Sequence, residues 1–336
     1  MAENFDLLKT LEMLVETPGP SGSERIIRNK IEDEIRDYVD DMYTDALGNL
    51  IARKGTKAEG GKRLMVSAHT DEIGLMVTHI DENGFARFTA IGGVSPLTCL
   101  GNRVLFMNGT QGVIGMERLD ANEQPSLPKL FIDTGATSKQ DSKVTVGDVA
   151  GFERPFLNLG KRLVAKSMDD RAAVAAAIGA IKKMQTGPNE VYFVFSVQEE
   201  VGLRGAMTAA YGVDPEVGIA VDVTRTGDTP RSAKMEVALG NGPAIKVRDS
   251  SFLADPRVIN WMVEEAKSQG MPYQMEVLEA GGTDGASIQK TRAGVPAGCL
   301  SIPCRYIHSP SEMIDRDDLE HCVDLLAGLV SKKIEF

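Results

Sequence analysis

The chain has 336 residues, enough for one large domain or two smaller ones, with ordinary hydrophobic (42%) and charged (25%) fractions for a globular protein. Its formal net charge of -11 argues against nucleic acid or an anionic membrane surface as a partner. The four cysteines, Cys99, Cys299, Cys304 and Cys322, form no CxxC pair and no disulfide framework, and they read as thiols of the core. The N-terminus lacks a basic segment followed by an apolar run, and no stretch approaches the ~18 apolar residues of a membrane span. A cytoplasmic location is expected.

Leu7, Leu8, Leu11, Leu14 and Val15 give the segment Phe5–Glu16 one apolar helical face, and Pro18-Gly19-Pro20 stops it. Ser21 and Glu24 have the spacing of a capping box, followed by a second helix with the stripe Ile27, Ile31, Ile35. Asn49–Arg53 and Leu64–Ala68 read as strands, the second leading into His69-Thr70-Asp71. From Ile73 to about Lys161 the pattern changes to short strands separated by turn signals, among them Leu75–Ile80, Ala86–Ala90, Arg103–Met107, Gly112–Ile114 and Leu130–Asp133, with a turn region at Asp141–Asp148.

After that the helix and strand alternation of a parallel sheet resumes. Arg171–Met184 is a helix, Val191–Val197 a buried strand, and Val217–Val221 another strand that ends in Asp222. Asp255–Gln269 is a helix with Asp255 as N-cap and Pro256 at its first position, Tyr273–Leu278 and Ala297–Ile302 are strands, and Arg316–Lys332 closes the chain. The expected architecture is an α/β domain, residues 1–72 and 165–336, with a mostly parallel sheet flanked by helices. A small all-β domain, residues 73–164, is inserted into it.

The chemistry-bearing residues recur at strand ends. His69 and Asp71 follow one strand, Asp169 and Asp170 precede a helix, Glu199 and Glu200 end the Val191–Val197 strand, Asp222 ends the next, and His308 follows Cys304–Ile307. Parallel strands bring their C-terminal ends to one edge, where open α/β sheets place their ligands. Two imidazoles and several carboxylates at that edge suit one or two divalent ions of the zinc, cobalt or manganese type. His69 and Asp71, two residues apart on extended backbone, point to one side, so Asp71 is placed to orient a metal-binding His69. Asp170 and Arg171 are expected to form an internal ion pair that fixes the turn beside Asp169. His79 and His321 have no such neighbours and are assigned structural or surface roles.

The segments His69-Thr-Asp71-Glu-Ile-Gly, Lys166-Ser-Met-Asp169-Asp170-Arg171, Val197-Gln-Glu199-Glu200-Val-Gly, Val221-Asp222-Val, Gly281-Gly-Thr-Asp284 and Arg305-Tyr-Ile-His308-Ser-Pro occur in order across nearly the whole chain. Together they resemble the tetrahedral aminopeptidases of metallopeptidase family forty-two, which include glutamyl and leucyl aminopeptidases. The resemblance implies a zinc-exopeptidase-like α/β fold, two divalent metals per subunit and peptide substrates with a free N-terminus. It makes Asp169 the bridging carboxylate, with His69 and Asp222 on one metal and Glu200 and His308 on the other. Glu199 becomes the general base, with Asp71 as its catalytic companion behind His69. It further implies dimers built through the inserted β domain, and six dimers forming a hollow dodecamer with inward-facing sites. After Asp284 the chain continues Gly-Ala-Ser, a departure in the small-residue order at the expected pocket wall.

Two other function classes compete. A metal-free glycoside hydrolase would use Glu199 with Asp222 or Glu200, but sugar sites stack on aromatic rings and this chain has 5% aromatics and one tryptophan, Trp261. A non-catalytic binding protein would be expected to lack Glu199 or a ligand, and none is missing.

Overall fold

The computed structural model describes residues 5–336. Two sheets organise them. The larger has 11 strands. Across its middle run Leu50–Lys54, Glu190–Ser196, Arg63–His69, Val217–Thr224 and Ala297–Arg305, and the last four are parallel neighbours. Antiparallel strands extend it: Asp41–Thr44 on one side, and Glu312–Asp315, Arg162–Ala165 and Leu157–Asn158 on the other. The strands Ala244–Arg248 and Gln274–Val277 branch from Ala297–Arg305.

The parallel strands are buried on both faces, and their alternation sends successive side chains to opposite cores. Val66, Phe193, Phe195, Ile219 and Val221 face one layer of helices, Leu7–Glu16, Arg25–Ile35, Met168–Lys183 and Arg316–Ser331. Met65, Val194, Ala220 and Cys299 face the other, formed by Arg204–Val213 and Asp284–Gln289. Met168–Lys183 is buried on nearly all sides, and its alanines allow the sheet and the neighbouring helices to approach closely. All four cysteines are buried and free, and no helix among the described residues is long and apolar enough to cross a membrane.

The second sheet is a closed antiparallel barrel in the order Gly74–Ile80, Ala86–Ile91, Leu130–Asp133, Gln111–Met116, Arg103–Phe106, Val149–Glu153. Its own core holds Leu75, Val77, Phe88, Phe106, Ile132 and Phe152. The barrel ends earlier than the sequence pattern suggests. Leu157–Asn158, inside the bounds that the sequence suggests for the insert, pairs with Arg162–Ala165, which pairs in turn with Glu312–Asp315 in the larger sheet.

Two local expectations are also corrected. Ser21 and Glu24 form no capping box: the Arg25–Ile35 helix has no side-chain cap, the Ser21 hydroxyl donates to Asp71, and Glu24 accepts from the Gly22 and Gln198 amides. The Val217 strand runs on to Thr224, so Asp222 projects from within it rather than ending it.

The entry to the barrel is fastened to the α/β unit by Glu72. Its carboxylate accepts from the Gly19 amide at 2.8 Å, from the Lys166 ammonium at 2.7 Å and from the Ser167 hydroxyl, all buried. Removing one partner of a buried pair leaves an uncompensated charge. Lys166→Met should therefore destabilise the protein by about 3–5 kcal/mol, read as a lowered denaturation midpoint.

Candidate functional site

The strand-end residues meet in one cleft. It is lined by His69, Asp169, Glu199, Glu200, Asp222 and His308, with Gly202, Leu203, Val223, Thr224, Arg225, Lys246, Leu278, Gly281, Gly282 and Ile307 as walls. Asp169 occupies the centre. Its Oδ1 lies 2.9 Å from His69 Nε2, and its Oδ2 lies 3.3 Å from His308 Nε2. One carboxylate thus faces an imidazole with each oxygen. Glu200 Oε2 stands 3.2 Å from His308 Nε2, and Glu199 Oε2 stands 3.9 Å from His69 Nε2. The potential ligand atoms fall into two groups, each within 4.8 Å: His69, Glu199 and Asp222, and Asp169, Glu200 and His308.

What holds these side chains is a set of buried oxygens that grip the backbone. Four consecutive amides after the Glu190–Ser196 strand donate to side chains from the first 71 residues. Val197 N bonds Asn49 Oδ1 at 3.0 Å, and Gln198 N bonds Glu24 Oε1 at 3.2 Å. Glu199 N bonds Asp71 Oδ1 at 2.9 Å, and Glu200 N bonds Asp71 Oδ2 at 3.2 Å. The same device recurs across the cleft, where Glu312 accepts from Asp169 N at 2.9 Å and from His308 N at 2.8 Å. Asp170 accepts from His69 N at 3.3 Å. Buried amides must find acceptors, so each carboxylate both satisfies a turn and sets where its side chain starts.

Asp71 faces the His69 ring at Nδ1, with its carbonyl oxygen 3.2 Å and its carboxylate 3.5 Å away. It also carries the Glu199-Glu200 turn, which the sequence reading did not foresee. The expected Asp170 to Arg171 ion pair does not form. Arg171 Nη1 donates to the carbonyls of Leu14 and Thr17, while Asp170 turns to the His69 amide. Adjacent residues leaving one turn point to opposite partners, and each backbone group needed a buried one. A cis peptide bond links Asp169 and Asp170. His79 is exposed on the barrel, and His321 lies on the closing helix, both away from the cleft.

Sequence reasoning missed Asn49, Glu24 and Glu312. Glu312 carried a faint signal, since it lies four residues after His308 beyond a Ser-Pro turn. Glu24 was masked by its capping-box spacing, and Asn49 gave no signal.

The electrostatics are those of crowded acids. Burial, joined by Asp222, Asp284 and Glu200, pushes the Glu199 carboxyl well above the usual range. Burial and then Asp169 raise Glu200, and burial with Asp169 and Asp284 raises Asp222 to about 7. Burial opposes a charge on His308, but Asp169 and Glu200 outweigh it and lift the imidazole to about 11. For Asp169 itself, burial is overcome by the two flanking imidazoles, which hold it below the usual range. Glu200 Oε1 is buried with no hydrogen-bond partner. Four carboxylates, two imidazoles and an unpartnered buried oxygen are a donor set that fits divalent cations.

Residues 48–325 match the family model of the M42 glutamyl aminopeptidases. The chain belongs to that family. It is similar to the lysyl aminopeptidase of Pyrococcus furiosus, at 34% identity over 96% of each chain. Among solved structures it resembles the aminopeptidase APDkam598 of Desulfurococcus kamchatkensis, with a TM-score of 0.93 and 38% identity over 97% of this chain and 94% of that one. It also resembles the TET1 peptidase of Pyrococcus horikoshii, which assembles into a tetrahedron or a large octahedral shell, with a TM-score of 0.87 and 34% identity over 97% of this chain and 99% of that one. The protein is a hydrolase of peptide bonds that acts at the chain end, an aminopeptidase.

Membership gives the double grip of Asp71 on the Glu199 and Glu200 amides a functional weight. An asparagine at position 71 keeps the shape but offers one acceptor oxygen for two amides and the Ser21 hydroxyl. Asp71→Asn should lower kcat/KM roughly 10–100-fold, as loss of a supporting partner typically does, while the circular dichroism of the folded protein stays unchanged.

Proposed function

We propose that this aminopeptidase works with two divalent metal ions, and the observation that carries the reading is Asp169, whose two oxygens face two different histidines. Asp169 would be shared by the two ions, with His69 and Asp222 holding one and Glu200 and His308 the other. Imidazole and carboxylate donors suit zinc first, then cobalt or manganese. When bound, such a pair polarises the scissile carbonyl and acidifies the attacking water.

Glu199 is the general base. It lies farther from His69 than Asp169 does, 3.9 Å against 2.9 Å. Its carboxylate is placed to take a proton from water and return it to the leaving amine. Asp71 keeps Glu199 and His69 in register. The exopeptidase action follows from capture of the substrate's free α-amine among the cleft's acids, so N-acetylated peptides resist cleavage. No aromatic side chain lines the cleft among the described residues, which disfavours the glycosidase alternative.

The deciding experiment is a set of aminoacyl-p-nitroanilides assayed after exhaustive chelation and after zinc, cobalt or manganese is restored. Chelation should abolish hydrolysis, and one of the metals should recover it. Glu199→Gln should keep its metals and lose roughly 10²–10⁴ in kcat, whereas Glu200→Gln should lose metal. Activity that survives complete metal removal overturns the reading.

We further propose that the barrel is a dimerisation domain and that dimers assemble into a dodecamer with enclosed sites. The support is the similarity to the TET1 peptidase and the small barrel core, which gains from extra burial. The acidic surface, at a net charge of -11, and the absence of a spanning helix among the described residues agree with a cytoplasmic enzyme whose partners are peptides and further copies of itself. Light scattering at low micromolar protein should give a mass near twelve subunits with a dimer as the smaller form. A monomer alone overturns the assembly proposal.

A further inference from the structure

Two glycines of the barrel lie close to two residues of the cleft, Glu200 and His308. Its strand Ala86–Ile91 ends at the turn Gly92-Gly93. Ile91 is buried, Val94 packs against the barrel core, and the Val94 amide bonds the Gly92 carbonyl at 3.0 Å. The turn lies against His308 and Glu200. A Cβ on Gly93 would stand 2.3 Å from His308 Nδ1, 2.6 Å from Cε1 and 3.3 Å from Cγ. A Cβ on Gly92 would stand 3.0 Å from Glu200 Oε2.

The two positions differ in kind. Gly92 has φ +72, so a side chain there is strained on backbone grounds alone. Gly93 has no such φ, and the nearest atoms its Cβ would meet all belong to the His308 ring. Glycine at 93 is therefore explained by the imidazole and not by the turn. His308 needs such support. Its side chain is 30% exposed against 2% for His69, and its own backbone is left-handed at φ 64. Glu312 fixes its amide, but a fixed amide leaves the ring free to rotate.

We propose that the Gly92-Gly93 turn of the barrel is a positioning element for the Glu200 and His308 half of the site, fixing the His308 ring so that Nε2 faces Asp169 and Glu200. The proposal rests on the reading that these residues hold a metal. It makes the barrel part of the catalytic apparatus of its own subunit, apart from any role in assembly.

The test is titration of the metal-free, full-length protein with Co(II), followed by its visible absorption, for wild type and Gly93→Ala. Gly212→Ala serves as control, because Gly212 lies on the Arg204–Val213 helix and a Cβ there meets nothing within 4 Å. Wild type and control should take up two equivalents in two steps. Gly93→Ala should keep the first step and weaken the second roughly 10–100-fold, the range for loss of a group that orients a ligand. Two steps as in wild type, or both steps weakened alike, overturn the proposal. A wild-type protein that binds no cobalt sinks the metal reading and the proposal with it, and is distinguished by needing no variant. Thermal unfolding of the metal-free proteins supplies an independent readout through a double-mutant cycle. Gly93→Ala should lower the melting temperature in the native background and leave it unchanged in the His308→Ala background, where the ring is gone. If Gly93→Ala does not fold, the double variant should, and a double variant that also fails to fold overturns the proposal.

Discussion

The site depends on a simple constraint: a buried peptide amide must have an acceptor, and here the acceptors are carboxylates that stand behind the reacting groups. Asp71 takes the amides of Glu199 and Glu200, Glu312 takes those of Asp169 and His308, and Asp170 takes that of His69. These bonds span 2.8 to 3.3 Å, and in a low-dielectric interior they hold their geometry well. Of the six groups in the cleft, only Asp222 is outside this scheme; it projects from within a fully buried strand and needs no turn to aim it.

The arrangement concentrates negative charge. Behind four carboxylates in the cleft stand further buried acids, and several of them are raised above the carboxylate range by burial and by one another. A fold that keeps so many acids together stores an electrostatic demand for cations. The protein supplies some of them itself. Lys166 answers Glu72 at 2.7 Å, and Lys246 answers Glu276 at 2.9 Å. Neither reaches the centre of the cleft, where Glu200 Oε1 remains unpartnered. The unmet demand sits where a divalent ion would do the most chemical work.

The two sheets are less separate than their cores imply. Glu72 ties the barrel's entry to the Lys166-Ser167 segment that precedes Asp169, and the Gly92-Gly93 turn rests on His308 and Glu200. The larger sheet then reclaims the chain with Leu157–Asn158 and Arg162–Ala165.

The sequence by itself determined the parallel core and the identity of the cleft residues. Apolar runs such as Val191–Val197 are local, and histidines and acids that follow them inherit a position from the strand, so His69, Asp169, Glu199, Glu200, Asp222 and His308 were legible before any contact was known. The inserted β unit was legible for the same reason, since its turn spacing is local. Only the tertiary structure decided what holds those residues. Asn49 and Glu24 reach Val197 and Gln198 across more than a hundred residues, and no spacing rule connects them. Glu24 and Ser21 imitated a helix cap, and the Asp170-Arg171 pair imitated an ion pair. In each case a long-range partner outbid the local one, because hydrogen bonds are spent where burial makes their absence most costly. The contact of Gly93 with His308 is the extreme instance: an absent side chain leaves no mark in a sequence except the glycine itself.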